Sequence, residues 1–223
     1  MTELLPLFLN LTGRDVALVG GGPVATAKLR QLLAAGARVR VIAPEITDEI
    51  AAVVARLAPH PTVTLARRPF EPADLDEAWL VVAAATPEVN RQVADVAETL
   101  RIFVNAVDDP ANATAFLSGV VRRDGVTVAI STSGAAPALS SLLREGLDAL
   151  LPRDLAAWMW QARAARVAWR REGVPMEARK PKLLQALNAL YHEEETAEDA
   201  ELVPSSEHDT RVPWLNSPED SWL

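Results

Sequence analysis

The stretch VALVGGGPVATAK, residues 16–28, decides the fold. A short apolar run, Val16–Val19, ends in three glycines. Val24–Ala35 then carries apolar residues at helical spacing up to Gly36, where a C-terminal cap belongs. A glycine loop between a strand and a helix is the context in which a dinucleotide fingerprint has a mechanism. Gly20 permits the tight turn, Gly22 lets the backbone approach a pyrophosphate, and Ala25 takes the third small position, where helix and strand pack closely. The helix N-terminus offers free N–H groups and a positive dipole end to the phosphates. Read alone, the same glycines also make a plain structural turn.

The flanking sequence favours the cofactor. Arg38–Ile42 is β-branched and reads as a second strand, and Glu45 follows it. An acid about twenty-five residues past the first glycine is placed to bind the adenine ribose hydroxyls and to repel a 2′-phosphate. No Arg or Lys stands between Ala43 and Asp48, so NAD is expected rather than NADP. Glu45 also reads as a solvated loop acid.

Outward from there, strands at Thr62–Leu65, Trp79–Ala84 and Ile102–Asn105 alternate with helices at Thr47–Leu57 and Glu88–Leu100. That alternation predicts βαβ units, a doubly wound parallel sheet and a Rossmann-like α/β fold. After Asp108 the texture changes. Thr114–Val121 and Val126–Ser131 read as strands, and Asp124-Gly125 between them is a hairpin signal. Helices are expected at Pro137–Leu150, Arg153–Arg171 and Met176–Tyr191. The expected organisation is a Rossmann domain at 1–112, a small α+β dimerisation unit at 113–150, a helical domain at 151–192 and an acidic, disordered tail at 193–223. A lone hairpin is marginal without more sheet or a partner, which points to a homodimer.

The net charge of −8 is unevenly distributed. Residues 193–223 hold ten acids against Arg211, so the rest of the chain is close to neutral and is not expected to bind nucleic acid. With 49% apolar residues a sizeable core is available. No apolar run approaches the ~20 residues that span a bilayer, so no membrane association is expected. Met1–Asn10 has no cationic stretch, so no signal peptide is expected, and a cytoplasmic enzyme fits. Without cysteine there is no disulfide, thiolate metal site or Cys nucleophile. His60, His192 and His208 are scattered, so no preformed metal site is expected. Trp214 and Trp222 are out of place in a solvated tail.

Two further constellations carry chemistry. Asn105-Ala106-Val107-Asp108-Asp109-Pro110 follows an apolar strand, and ligands of open α/β sheets bind at the carboxyl ends of strands. Asp108 or Asp109 there can face a nicotinamide as a base, or cap a turn before Pro110. Ser131-Thr132-Ser133-Gly134-Ala135-Ala136-Pro137 joins a strand to a helix, where hydroxyls bind a carboxylate or cap the helix. Arg122, Arg123 and Arg144 are candidates for gripping an acidic substrate, or are solvated faces.

In this order, with LPLFLNL ahead of the glycine loop and LREGLDALLP after the serine loop, the chain resembles the precorrin-2 dehydrogenase/sirohydrochlorin ferrochelatase family, the N-terminal module of siroheme synthases. The resemblance covers residues 1–152 closely and continues to about 190. It implies NAD-dependent oxidation of precorrin-2 to sirohydrochlorin and, in some members, insertion of Fe²⁺ as a second substrate. It implies a dimer, and a short strand at Leu5–Leu11. It places cofactor contacts on Gly22, Pro23, Val24, Pro44 and Glu45, the key carboxylate on Asp108 and a serine-loop hydroxyl on Thr132. Precorrin-2 carries eight carboxylates, which gives Arg122, Arg144, Thr132 and Ser133 a substrate to bind. The rival expectations are a non-catalytic NAD-sensing Rossmann module, which needs no large cleft, and an NAD-linked dehydrogenase of a small acid.

Overall fold

The computed structural model describes residues 4–57, 62–117 and 119–198. Its first compact unit takes in residues up to Arg122 and Thr127–Leu151. Five strands run parallel in it: β1 (Asp15–Val19), β2 (Arg38–Ile42), β3 (Val63–Ala66), β4 (Leu80–Ala83) and β5 (Phe103–Ala106). Their order is β3-β2-β1-β4-β5, so the winding reverses between β1 and β4. Helices α1 (Pro23–Ala34), α2 (Asp48–Leu57) and α3 (Pro87–Leu100) connect them.

Strand alternation sorts the core into two layers. Val16, Leu18, Val39, Val41, Leu80 and Val82 pack with Leu29 and Leu32 of α1 and Ile50 of α2. Ala17, Val19, Val81, Ala83, Val104 and Ala106 pack with Val93 and Ala97 of α3. Both faces of the sheet are therefore covered, as the near-continuous apolar strands require. Local chemistry sets the helix ends. Thr47 Oγ1 accepts from Ile50 N–H (3.2 Å), Thr86 caps α3, and Gly36 takes a left-handed φ of 78° after α1.

The small sheet pairs β6 (Gly119–Arg123) with β7 (Val126–Ile130). Asp124 and Gly125 both have positive φ (49° and 85°), the type I′ turn their sequence predicts. α4 (Pro137–Leu150) follows. The second compact unit holds residues 123–126 and those from Pro152 on, with α5 (Leu155–Glu172) and α6 (Met176–Glu198). Compactness thus groups the stem of the hairpin and α4 with the Rossmann sheet. Among the described residues no helix is long and apolar enough to cross a membrane.

Three expectations need correction. Residues 4–11 form no strand, and Leu5 and Phe8 are exposed. β1 already has β2 and β4 on its two sides, so no edge there is open to the segment, and it is anchored at buried Leu11. The strand expected from Thr114 begins only at Gly119. Thr114 and Ala115 direct their backbone N–H groups to the Val104 carbonyl (2.9 and 2.7 Å), and Thr114 Oγ1 accepts from Val104 N–H (2.8 Å). The segment covers the outer edge of β5 instead of pairing in the hairpin. Finally, α6 runs on to Glu198, into the expected tail, because no Gly or Pro interrupts the chain between Pro181 and Pro204. The rest of that tail, with His208, Trp214 and Trp222, and also His60, lie outside the described residues.

Candidate active site

Parallel strands end on one side of a sheet, and the loops there carry the residues singled out above. Gly20 ends β1 with a φ of 127°, and a side chain there would run into the Ala84 carbonyl. Gly21 lies equally close to the Glu45 carbonyl, and its own carbonyl accepts from Thr47 N–H (2.9 Å). Pro44 and Glu45 are thereby held beside the glycine loop with both side chains exposed.

Gly22 differs from its neighbours. It is the N-cap of α1, without a side-chain cap, and a Cβ built on it meets nothing within 4 Å. The first helical hydrogen bond runs from Thr26 N–H to the Gly22 carbonyl (2.9 Å). Val24 and Ala25 therefore point their N–H groups out of the helix end, and Pro23 has none. Thr26 Oγ1 also bonds the Gly22 carbonyl (3.0 Å) and pairs with Thr47 Oγ1 (2.9 Å), which fixes the loop. Open space before free N–H groups at a positive helix end, with no acid in the first turn, fits a pyrophosphate. Pro23 and Val24 are exposed at this mouth. Ala25 is fully buried, so its side chain serves the packing of α1 on β1.

A cleft of about 450 Å³ opens at the end of β5. The loop after β5, the serine loop and one stripe of α4 wall it, the stripe being Pro137, Ser140, Ser141 and Arg144. The near approach of Gly134 to Pro110 joins the two loops. Asp108 is exposed into this cleft with a left-handed φ of 56°. Asp109 lines the same cleft, but its Oδ2 accepts from Asn112 Nδ2 (2.7 Å) and holds the short 3₁₀ turn Pro110–Asn112. The two carboxylates, interchangeable in the sequence, thus differ in backbone geometry and hydrogen bonding. Thr132 Oγ1 accepts from Ala136 N–H (3.2 Å) and pairs with buried Ser140 Oγ (3.0 Å), so it organises the start of α4 while lining the cleft.

Arg144 lines the cleft and reaches Glu145 at 3.2 Å. Arg122 does not line it; it lies exposed on β6, where alternation turns Val121 inward. Ser133 takes the left-handed position of its turn (φ 53°), also outside the lining. Among the described residues no three His, Cys, Asp or Glu side chains converge as metal ligands.

Two cleft residues receive no role of their own in the sequence reading. Lys28 occupies the stripe Ala25, Lys28, Leu29, Leu32, three members of which are buried core. A lysine inside an apolar stripe is the clue that could have found it. Burial lowers its pKa, and the charge of Asp108 partly offsets that shift. Asn105 lies in β5 with Nδ2 donating to the Ala115 carbonyl (3.0 Å). Its buried Oδ1 has no hydrogen-bond partner among the described residues. A polar residue in a strand buried on both faces is the signal there.

The chain resembles known proteins in sequence and fold. The family model described as "Putative NAD(P)-binding" fits residues 7–119, just over half of the chain, and "Sirohaem biosynthesis protein central" fits residues 123–150. Siroheme synthase 1 of Aeromonas salmonicida (strain A449) is 46% identical over 156 residues, which is 70% of this chain and 32% of that protein. Siroheme synthase 2 of Klebsiella pneumoniae subsp. pneumoniae is 43% identical over 152 residues, 68% of this chain and 32% of that one. The chain therefore spans about a third of the length of the curated relatives it matches. The solved structure of SirC, precorrin-2 dehydrogenase, has a TM-score of 0.61 and 24% identity, and the match covers 82% of this chain and 88% of that one. It shares the fold.

Proposed function

The chain belongs to the NAD(P)-binding family whose model spans residues 7–119, and from that premise we propose that it oxidises precorrin-2 to sirohydrochlorin with NAD as the hydride acceptor. One observation carries the reading. The exposed carboxylate of Asp108 and the half-buried ammonium of Lys28 face one cleft at the end of β5, and α1 leads from that cleft back to the open space at Gly22. NAD bound at the glycine loop supplies the hydride acceptor. The N–H groups of Val24 and Ala25 hold its pyrophosphate, and Glu45 takes the adenosine ribose and disfavours a 2′-phosphate. Asp108 accepts the proton that leaves the macrocycle as hydride departs, so the two hydrogens removed are both placed. Lys28 and Arg144 receive carboxylates of the polyanionic substrate through charge-assisted hydrogen bonds, with Thr132 at the same wall. An NAD sensor has no use for such a cleft, and a small acid does not need its apolar wall of Phe116 and Leu117. The deciding assay supplies precorrin-2 and NAD to the purified protein and follows NADH and sirohydrochlorin by absorbance. No turnover, with tight NAD binding retained, would favour the sensor.

Lys28→Met separates a substrate contact from a structural role. Burial lowers the Lys28 pKa, so its ammonium costs stability below the folded value, and that cost is relieved as pH rises toward the ordinary lysine value. The methionine is therefore expected to leave the melting temperature at neutral pH unchanged or higher. KM for precorrin-2 should rise about ten- to hundredfold, for loss of a charge-assisted hydrogen bond of about 1.5–3 kcal/mol. A drop in melting temperature with KM unchanged would make Lys28 a packing residue.

The homodimer belongs to the same proposal. Leu139, Leu142, Leu143, Leu147 and Leu150 form an exposed apolar stripe on α4, away from the stripe that lines the cleft. Such a face, beside a two-stranded sheet, fits a partner surface. Leu142→Asp with Leu150→Asp is expected to shift the protein from dimer to monomer in analytical ultracentrifugation. A wild-type monomer at micromolar concentration would remove the basis of this reading.

A further inference from the structure

We propose that Asn105 is a specificity-determining residue of the cofactor site, its Oδ1 accepting an N–H of the carboxamide on the nicotinamide ring. This rests on the reading of the chain as an NAD-dependent dehydrogenase and adds to it the group that recognises the reactive end of the dinucleotide. Asn105 is 6% exposed in β5, between buried Val104 and Ala106. Packing alone gives no reason for an amide there, since a buried polar group costs free energy unless it is hydrogen-bonded. Half of that requirement is met, because Nδ2 donates to the Ala115 carbonyl (3.0 Å). Oδ1 is buried and meets no donor among the described residues. Turning the amide over does not remove the defect. The oxygen would then face the Ala115 carbonyl, acceptor against acceptor, and the –NH₂ group would be the orphan. Buried polar atoms without a partner are rare in folded proteins. Asn105 lines the cleft, so the missing donor belongs to what the cleft binds.

Position and chemistry select the donor. Val82 and Asn105 are register partners in the parallel pair β4–β5, so their side chains share the face of the sheet on which α1 packs. That is the face of the helix whose N-terminus fits the pyrophosphate. Strand β5 is two places from β1, roughly 10 Å at the usual strand spacing. The nicotinamide half of a dinucleotide held at Val24 and Ala25 N–H spans such an interval. Its carboxamide is a terminal group with two N–H donors, narrow enough to enter against a strand. The macrocycle offers no donor of that kind. The carboxylates at its rim accept and do not donate. Its pyrrole N–H groups point into the centre of the ring, where a side-chain acceptor reaches them only by standing over the ring face. Asp108, exposed on its loop, is placed for that, and Asn105, buried in a strand, is not.

The test measures binding by the full-length protein and needs no turnover. NAD and its thionicotinamide analogue both carry the –NH₂ group, whereas the acetylpyridine analogue has a methyl group in its place. In calorimetric titration NAD and the thionicotinamide analogue are expected to bind alike. The acetylpyridine analogue should bind about ten- to hundredfold more weakly, the factor carried by a hydrogen bond to an otherwise unpaired buried acceptor. Asn105→Leu, similar in size and without an acceptor, should bind NAD and the acetylpyridine analogue alike. Its affinity for sirohydrochlorin, read by absorbance without dinucleotide, should stay that of the wild type. The preference is a ratio taken within one protein, so a general loss of stability from the missing bond to Ala115 does not imitate the effect. Equal binding of NAD and the acetylpyridine analogue by the wild type overturns the proposal while NAD binding stands, and decides the matter even if the variant does not fold. A preference that survives in Asn105→Leu also overturns it, and so does a loss of sirohydrochlorin affinity in that variant, because the oxygen then serves the macrocycle. If no dinucleotide binds, the proposal falls together with the reading on which it rests.

Discussion

Gly22→Val is expected to weaken NAD binding by about 100-fold or more while lowering the melting temperature only slightly. Gly22 sits at φ −79° and ψ −173°, extended backbone that any residue adopts, and a Cβ on it meets nothing within 4 Å. The fold therefore has room for the branch, and the expected cost is that of a poorer N-cap, about 0.5–1 kcal/mol. The side chain would fill the space through which a pyrophosphate reaches Val24 and Ala25 N–H. Two charge-assisted hydrogen bonds worth about 1.5–3 kcal/mol each are then out of reach. Its neighbours are informative controls. Valine at Gly20 meets the Ala84 carbonyl, and at Gly21 the Glu45 carbonyl, so those variants should lose the fold and not only the cofactor. Calorimetric titration with NAD and NADP, beside a melting curve, separates the cases. NADP should bind more weakly than NAD to the wild type if the exposed Glu45 takes the ribose as proposed, because no Arg or Lys stands between Ala43 and Asp48. Unchanged NAD affinity in a stable Gly22→Val protein would place the phosphates elsewhere.

The parallel sheet was legible because its strands are apolar runs of the right length, separated by helices with caps that sequence chemistry names, such as Thr47 and Gly36. Segment 113–117 was not. Its threonine, alanine and phenylalanine look like strand, and nothing local reveals that Thr114 and Ala115 bond to Val104 across ten residues of chain. The cofactor half of the candidate site could be read from spacing, since a glycine loop is a contiguous motif. The cleft could not, because it assembles α1, the loop after β5, the serine loop and α4. Arg122 illustrates the limit. Adjacent hairpin residues face opposite sides, and the sequence does not say which side holds the cleft. Lys28 illustrates the converse, since its stripe was visible but its charge was absorbed into the motif that contained it. Asp108 and Asp109 are chemically identical neighbours. Only the positive φ of one and the bond from Asn112 to the other distinguish them.

Asp108→Ala is expected to lower turnover of precorrin-2 by about 10²–10⁴-fold, the usual contribution of a positioned general base, with NAD affinity nearly unchanged. The carboxylate stands at the end of β5, in the lining of the cleft, whereas the residues that fit the adenosine half stand at the ends of β1 and β2. Substrate chemistry and cofactor affinity should therefore separate in this variant, the reverse of what Gly22→Val does. Stability should fall only slightly, because Asp108 is exposed and alanine keeps its left-handed φ somewhat less easily than aspartate does. Asp108→Gly sharpens the point: glycine takes that φ freely, so this variant should be at least as stable as the wild type and equally inactive. Asp109→Ala is the matched control and should behave oppositely. It removes the bond from Asn112, loosens the 3₁₀ turn beside the cleft and lowers the melting temperature more than it lowers kcat. Supplying Fe²⁺ with sirohydrochlorin adds a second readout, because metal insertion also requires pyrrole protons to leave. If Asp108→Ala dehydrogenates normally but no longer inserts metal, the carboxylate serves that exchange, and solvent takes the proton of the oxidation. If Asp109→Ala alone abolishes turnover in a protein that still melts normally, the catalytic carboxylate is Asp109, and the bond to Asn112 must open before substrate binds.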